Sequence, residues 1–449
     1  MERKMRNFVV LVLASFLLLA GVLVLPASGK SDVTVDLDKP VSLTMWFLDW
    51  KAGILAVEAG VEIFQKEYPN INIELTPVPQ ANLIEKWLPA YKAGNEPDVC
   101  VQPNHLFRSV DPAAVLLRLD PDVFTKAEYK RLFFEAMGNP IIGSDGHIYG
   151  IPDPDPVDGT GFAVNIDILE EVGVDYRDLV TWDAIIDAAQ KAVKWEDGKM
   201  VRAGLQMRHV VSDGNYFTSG ILELGGSFYD EKTHTFDFTT PEAERALQFL
   251  VDLIRVEEVT DPEWQPNFFN GSAAMMTNGP AHYSAAKQVF NQNATYIMRP
   301  PIPGAKKGWI YTDIGPSFFV FSGRLADDAL KYPAAVQYGK FLSSREWAQV
   351  IGQHYFAFQA NREFMLNDYV EYEMTAPLKP IVDAMNQGQF VYVPHYISAT
   401  TLLSGIFNRY YELAIRGEMT VQEALEKIEE EANAAEEEAY QTYLSTAVK

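Results

Sequence analysis

Cysteine is all but missing: Cys100 is the only one in 449 residues. A single thiol excludes an intrachain disulfide framework and any cysteine-rich zinc site. Positive charge is also scarce, with 37 Lys and Arg against 61 Asp and Glu and a formal charge of −24. A phosphate backbone is held by clustered cations, so nucleic acid is excluded as a partner. The histidines (His105, His147, His209, His234, His282, His354 and His395) include no pair at metal-ligand spacing on one helix. Asp153, Asp155 and Asp158 imitate a calcium loop only in part, because the ligand at position five, the glycine at six and the glutamate at twelve are missing. No Walker-type or dinucleotide glycine loop occurs. No metal and no cofactor is therefore expected.

Long apolar runs are absent after residue 29, and the one before it has an address-like form. Arg3, Lys4 and Arg6 precede an apolar stretch from Phe8 to Leu25, followed by Pro26, Ala27, Ser28 and Gly29. This reads as a secretory signal peptide over residues 1–29, with an uncleaved membrane anchor as the competitor. No cysteine lies near the cleavage region, so a lipoprotein is not expected. Cleavage leaves 34 positive against 60 negative residues in an exported, periplasmic or extracytoplasmic protein.

The remainder has globular composition, 48% hydrophobic and 12% aromatic, and its length calls for more than one core. Val41 to Phe47 is suited to a strand, Ile54 to Tyr68 has helical spacing, and Ile71 to Thr76 is a second strand. A helix is expected from Leu83 to Tyr91, then a short buried strand at Pro97 to Val101. Strands alternating with helices imply an α/β sheet covered on both faces. Ile151 to Gly159 holds three alternating prolines and reads as a sheet edge or a stiff connection. Phe162 to Asn165 starts a new strand. Thr181 and Thr240 are plausible N-caps, the latter followed by proline at the first helical position. Asn270 to Pro280 is a small-residue strand turning into a helix, and Arg299 to Gly304 is a second proline-rich connection. The Glu-rich final helix is most simply a solvated surface.

These segments, in order, resemble the extracellular solute-binding proteins of bacterial ABC importers, the family that includes maltose- and other sugar-binding proteins. The matching pieces are the Thr44-Met45-Trp46 strand, Phe64 to Ile71, Ala93 to Val99, Gly146 to Pro152, Phe162 to Asp167, Thr181 to Ile185, Asn270 to Pro280 and Gly417 to Ala424. The resemblance implies a two-lobe α/β periplasmic-binding-protein fold (type II-like) with a ligand cleft between the lobes and a hinge crossed three times. On that basis residues 38–155 and 312–358 form the first lobe, and 156–311 and 359–440 the second. It also implies hinge closure on a carbohydrate, delivery to the transmembrane permease subunits, no catalysis, and a monomer.

Sugars are held by carboxylates and amides that take paired hydroxyls and by aromatic faces that cover the ring. The resemblance places Asp49, Trp50 and Lys51 in the loop after the first strand, and Gln102 and Asn104 at a strand's carboxyl end. Asp158 falls where related proteins place a ligand carboxylate, and Tyr216 is a stacking candidate. Gly279 opens a helix whose N–H groups can meet ligand oxygens. Maltose binders carry tryptophan after that turn, whereas this chain has Ala281 and then Tyr283. Gln102 and Thr401 likewise stand where those proteins carry aromatics. Three missing aromatic faces point to a smaller or more polar glycoside, with Trp309, Tyr311 and Asp313 refilling the cleft or packing the hinge. The competing readings are a polyamine or glycerol-phosphate-like ligand in the same fold, or an exported glycoside hydrolase.

Overall fold

The computed structural model describes residues 39–49, 51–103, 106–107, 110–134, 141–153, 159–207, 211–261, 263, 266–313, 317–355, 358–392 and 402–447. The signal segment, Trp50, Asn104, Asp158 and Thr401 lie outside the described residues.

Two five-stranded sheets organise the chain. The first has the order β2-β1-β3-β13-β4, with β1 Val41–Leu48, β2 Ile71–Val78, β3 Val99–Pro103, β4 Ile151–Pro152 and β13 Ser317–Phe321. β1 pairs in parallel with β2 and β3, while β13 runs antiparallel between β3 and β4. The alternation legible in β1 is real: Val41, Leu43, Met45 and Phe47 are buried and the residues between them are half-buried. Ile151-Pro152 is the expected sheet edge, where a missing proline N–H costs nothing.

The second sheet has the order β11-β5-β10-β7-β6, from β5 Gly161–Asn165, β6 Lys194–Glu196, β7 Lys199–Gln206, β10 Ala273–Asn278 and β11 Ala294–Met298. It is mixed, with only β10 and β7 parallel. β5 is buried throughout, as a strand covered on both faces must be. A hairpin of β8 Tyr229–Asp230 and β9 Thr235–Phe236 stands apart, and β12 Tyr311–Asp313 pairs in parallel with β14 Phe390–Tyr392.

The motif pieces have local physical reasons. Thr181 accepts from the Ala184 N–H, and Thr240 from the Ala243 N–H with Pro241 next to it. Asp98, in the Asn95-Glu96-Pro97-Asp98 turn, accepts from the Thr44 N–H at 2.8 Å and from its hydroxyl at 3.0 Å. Its carboxylate also receives the Lys331 ammonium at 2.8 and 3.0 Å, so one side chain ties β1 to the Lys331–Leu342 helix. Gly60 lets the Lys51–Glu67 helix meet Trp347, since a Cβ there would sit 2.3 Å from the indole.

The last helix, Val421–Ala447, is not simply a solvated acidic face. Glu429 accepts from the Phe238 and Thr239 N–H groups at 2.7 and 3.0 Å. Asn433 both accepts from and donates to the Phe236 backbone, and the fully buried Glu436 accepts from the Tyr229 hydroxyl at 2.8 Å. Positions 429, 433 and 436 share one helix face, so this row binds the β8–β9 hairpin where a strand would otherwise be needed. Glu423, Glu426, Glu430, Glu437 and Glu438 are the solvated ones.

Near the end of the Arg345–Tyr355 helix the chain stays with the first sheet's layer. Phe134 donates to the Ala360 carbonyl, and Phe133 bridges to Asn361.

Candidate functional site

β1 ends at Leu48 and β3 at Pro103, and the carboxyl ends of such strands are the place where open α/β sheets bind ligands. Asp49 follows β1 with its N–H bonded to the Val78 carbonyl and its side chain exposed. Lys51 opens the Lys51–Glu67 helix and is exposed as well. Gln102, by contrast, is fully buried: its amide nitrogen donates to the Leu83 carbonyl and lies 3.1 Å from the Cys100 sulfur. Burial pushes the Cys100 thiol up to about 12, which keeps it an inert core group.

Tyr216, Trp309 and Tyr311 come together, and what assembles them is Arg299. Its guanidinium lies 5.2 Å from the Tyr216 ring centre and 5.5 Å from that of Trp309. Trp309 stacks on Tyr311, and both meet Phe390 of β14. All three candidates are buried, with the Tyr216 hydroxyl donating to the Gly161 carbonyl at 3.1 Å. In this conformation they pack the connection between the sheets rather than present open faces.

Arg299 is itself paired to Glu223 at 2.8 Å, the two side chains being 2% and 0% exposed. Its remaining N–H groups donate to the carbonyls of Gly159, Pro300 and Ile310. Glu223 in turn accepts from the backbone N–H groups of Ile302 and Ile310. Sequence reasoning passed over Glu223. The one available signal was a lone carboxylate inside the apolar run Ile221-Leu222-Glu223-Leu224.

Tyr283 presents no open face either. It is 1% exposed, near Tyr296 and Lys287, and burial first, then Glu373 and Tyr176, raises its hydroxyl to about 12. Gly279 is the N-cap of the Pro280–Gln288 helix, whose backbone also carries Ala281. Asp313 ends β12. Two surface depressions of about 400 and 440 Å³ lie instead along the Pro241–Arg255 helix, sharing Gln248 and Asp252, and include none of these residues. Among the described residues no group of three His, Cys, Asp or Glu could hold a metal ion, and no helix is long and apolar enough to cross a membrane.

Two α/β layers, each built on its own sheet, define a two-lobe fold of the periplasmic-binding-protein class. Residues 59–355 match the family model for bacterial extracellular solute-binding proteins, and the chain belongs to that family. Its members are binding proteins that act outside the cytoplasm. Over 140 residues the chain is 34% identical to the arabinooligosaccharide-binding protein of Halalkalibacterium halodurans, a match covering 30% of this chain and 28% of that protein. The chain thus aligns with well under half of that relative's length.

Solved structures agree on the fold. A maltose/maltodextrin-binding domain from Bdellovibrio bacteriovorus, bound to maltotriose, superposes with a TM-score of 0.68 at 18% identity, covering 89% of this chain and 100% of that one. An ABC substrate-binding protein from Listeria monocytogenes, in complex with cycloalternan, gives 0.69 at 19% identity, covering 88% and 99%.

Proposed function

We propose that this protein captures a carbohydrate outside the cytoplasm by closure of its two lobes and delivers it to the permease subunits of an ABC importer, without chemistry on the ligand. The observation that carries the reading is the family match across residues 59–355, joined to a relative and to structural neighbours whose names record oligosaccharide ligands. Ligand contacts to both lobes would favour the closed state by their differential free energy.

Asp49 and Lys51 are the described polar groups free to meet a sugar, with Trp50, Asn104, Asp158 and Thr401 completing the set. Gly279 and Ala281 offer a helix start, and Asp313 a carboxylate at the end of β12. Gln102, Tyr216, Tyr283, Trp309 and Tyr311 act from behind, through packing. A phosphate-bearing ligand fits less well, because the Arg299 guanidinium is already committed to Glu223 and three carbonyls.

The lobes divide at about the two proline-rich connections, and we place the third crossing after Asn361, which still bridges to Phe133. The exported chain is taken to be a monomer freed of its signal segment. The test is a thermal-shift screen of residues 30–449 against mono-, di- and trisaccharides, polyamines and glycerol phosphates. Binding raises the melting temperature by mass action. A shift with a saccharide and no product on incubation supports the reading. A shift with polyamines alone, or turnover of a sugar, overturns it.

A further inference from the structure

Arg299 and Glu223 do more than neutralise each other. Their bonds reach three separate pieces of chain: Gly159 on the first connection, Pro300 and Ile302 at the start of the second, and Ile310 at its end. The Glu223 carbonyl also receives the N–H groups of Lys306 and Lys307, closing the loop between them. Glu223 is the last residue of the Val211–Glu223 helix, which belongs to the core of the second sheet through Phe217 and Ile221. The guanidinium is held between the Tyr216 and Trp309 rings, so both aromatics depend on its position.

Such a pair contributes little as a net stabiliser, because desolvation offsets most of the attraction between two buried charges. What it does supply is geometry: a planar fork with fixed directions, satisfied on every side. A segment so held cannot flex without uncovering a buried charge. Among the described residues β12, immediately after Ile310, pairs with β14 in a two-stranded ribbon outside both five-stranded sheets, and it packs against the Val211–Glu223 helix.

We propose that the buried Arg299–Glu223 pair is a positioning clamp for ligand capture. It makes Gly159 and residues 299–310 a rigid part of the second lobe, so that lobe closure bends the chain only beyond Ile310. The proposal rests on the two-lobe capture reading, and deepens it by naming the residues that fix where the bend begins.

The test uses spin-label distances in the sugar-free full mature chain. Exposed lysines supply the labelling sites as cysteine substitutions: Lys66 on the first lobe, and Lys191, Lys232 and Lys307 on the second. The native thiol is fully buried and stays unlabelled. In the parent protein the Lys232-to-Lys307 distribution is expected to be narrow. Breaking the clamp with Glu223→Gln or Arg299→Met should widen it about twofold, together with the Lys66-to-Lys232 distribution, while Lys191-to-Lys232 stays unchanged. Arg299→Lys should not rescue, since an ammonium cannot reproduce the fork.

Unchanged widths in both variants overturn the proposal. Widening of the Lys191-to-Lys232 control as well also overturns it, because the pair would then be holding the lobe's core rather than the connection. Adding maltotriose or an arabinotriose to the parent protein tests capture separately. A failure of either sugar to shift the Lys66-to-Lys232 distance counts against the carbohydrate reading and leaves the comparison between variants intact.

Discussion

Asp98 and Lys331 form an ion pair whose two halves should behave very differently when removed. In Asp98→Ala the Thr44 N–H loses the carboxylate acceptor 2.8 Å away, in a place where the Asp98 side chain is 12% exposed. An unsatisfied buried amide costs about 1–3 kcal/mol, and the lost charge-assisted bonds to the half-exposed lysine add about 1 kcal/mol. The total is about 3 kcal/mol. In Lys331→Met the carboxylate keeps both Thr44 donors, and the lysine was 34% exposed, so the loss should be about 1 kcal/mol. Asp98→Asn retains an acceptor for the Thr44 N–H and should fall near the lysine variant. The assay is urea unfolding followed by far-ultraviolet circular dichroism. At a slope of about 3 kcal/mol/M, Asp98→Ala lowers the midpoint by about 1 M and the other two by about a third of that. If Lys331→Met costs as much as Asp98→Ala, the attraction between charges governs the site and the reasoning from backbone satisfaction fails.

Lys194 and Arg202 hold the Glu171 carboxylate down to about 2, below its ordinary value of 4.5, so its contribution is present above about pH 4.5 and is lost as the pH falls toward 2. The stability gap between the parent protein and Glu171→Gln should therefore be seen at neutral pH and vanish near pH 2 in urea midpoints. Gly60→Ala forces the Trp347 indole out of place and should cost about 1–3 kcal/mol, read as a lowered melting temperature with changed tryptophan emission. Asn433→Leu removes both bonds to Phe236 and should speed amide exchange across β8 and β9 while leaving β5 protected, which hydrogen-exchange mass spectrometry resolves.

The fold was largely legible because its signals are local. The β1 alternation, the helix that stops before Pro69-Asn70, and the caps at Thr181 and Thr240 each follow from neighbouring residues alone. Even Asp98 is visible as part of a turn motif, although its partner Lys331 lies 233 residues away and cannot be read from spacing. The candidate site was less legible for a definite reason. Whether an aromatic on a helix or connection faces a cleft or a core depends on how that element is rotated against its neighbours. Tyr283 and Tyr216 carry the right chemistry but turn inward, and Gln102 lies beneath a helix instead of at the rim. The glutamates of the last helix mislead similarly, since composition alone cannot tell that 429 and 436 fall on the side covered by a hairpin.

The placement of β13 between β3 and β4 also sets an order of events during synthesis. The second sheet is drawn from a continuous stretch, residues 161–298, and can assemble as soon as that stretch is available. The first sheet has a gap in its middle until residues 317–321 arrive, more than two hundred residues after β3 has been made. Pairings of such sequence separation are slow, because chain entropy is lost before contacts compensate it. Until then β3 and β4 expose unpaired edges that other chains could add to. A protein so arranged begins its first lobe early and finishes it late, so the lobe started first is the one completed last.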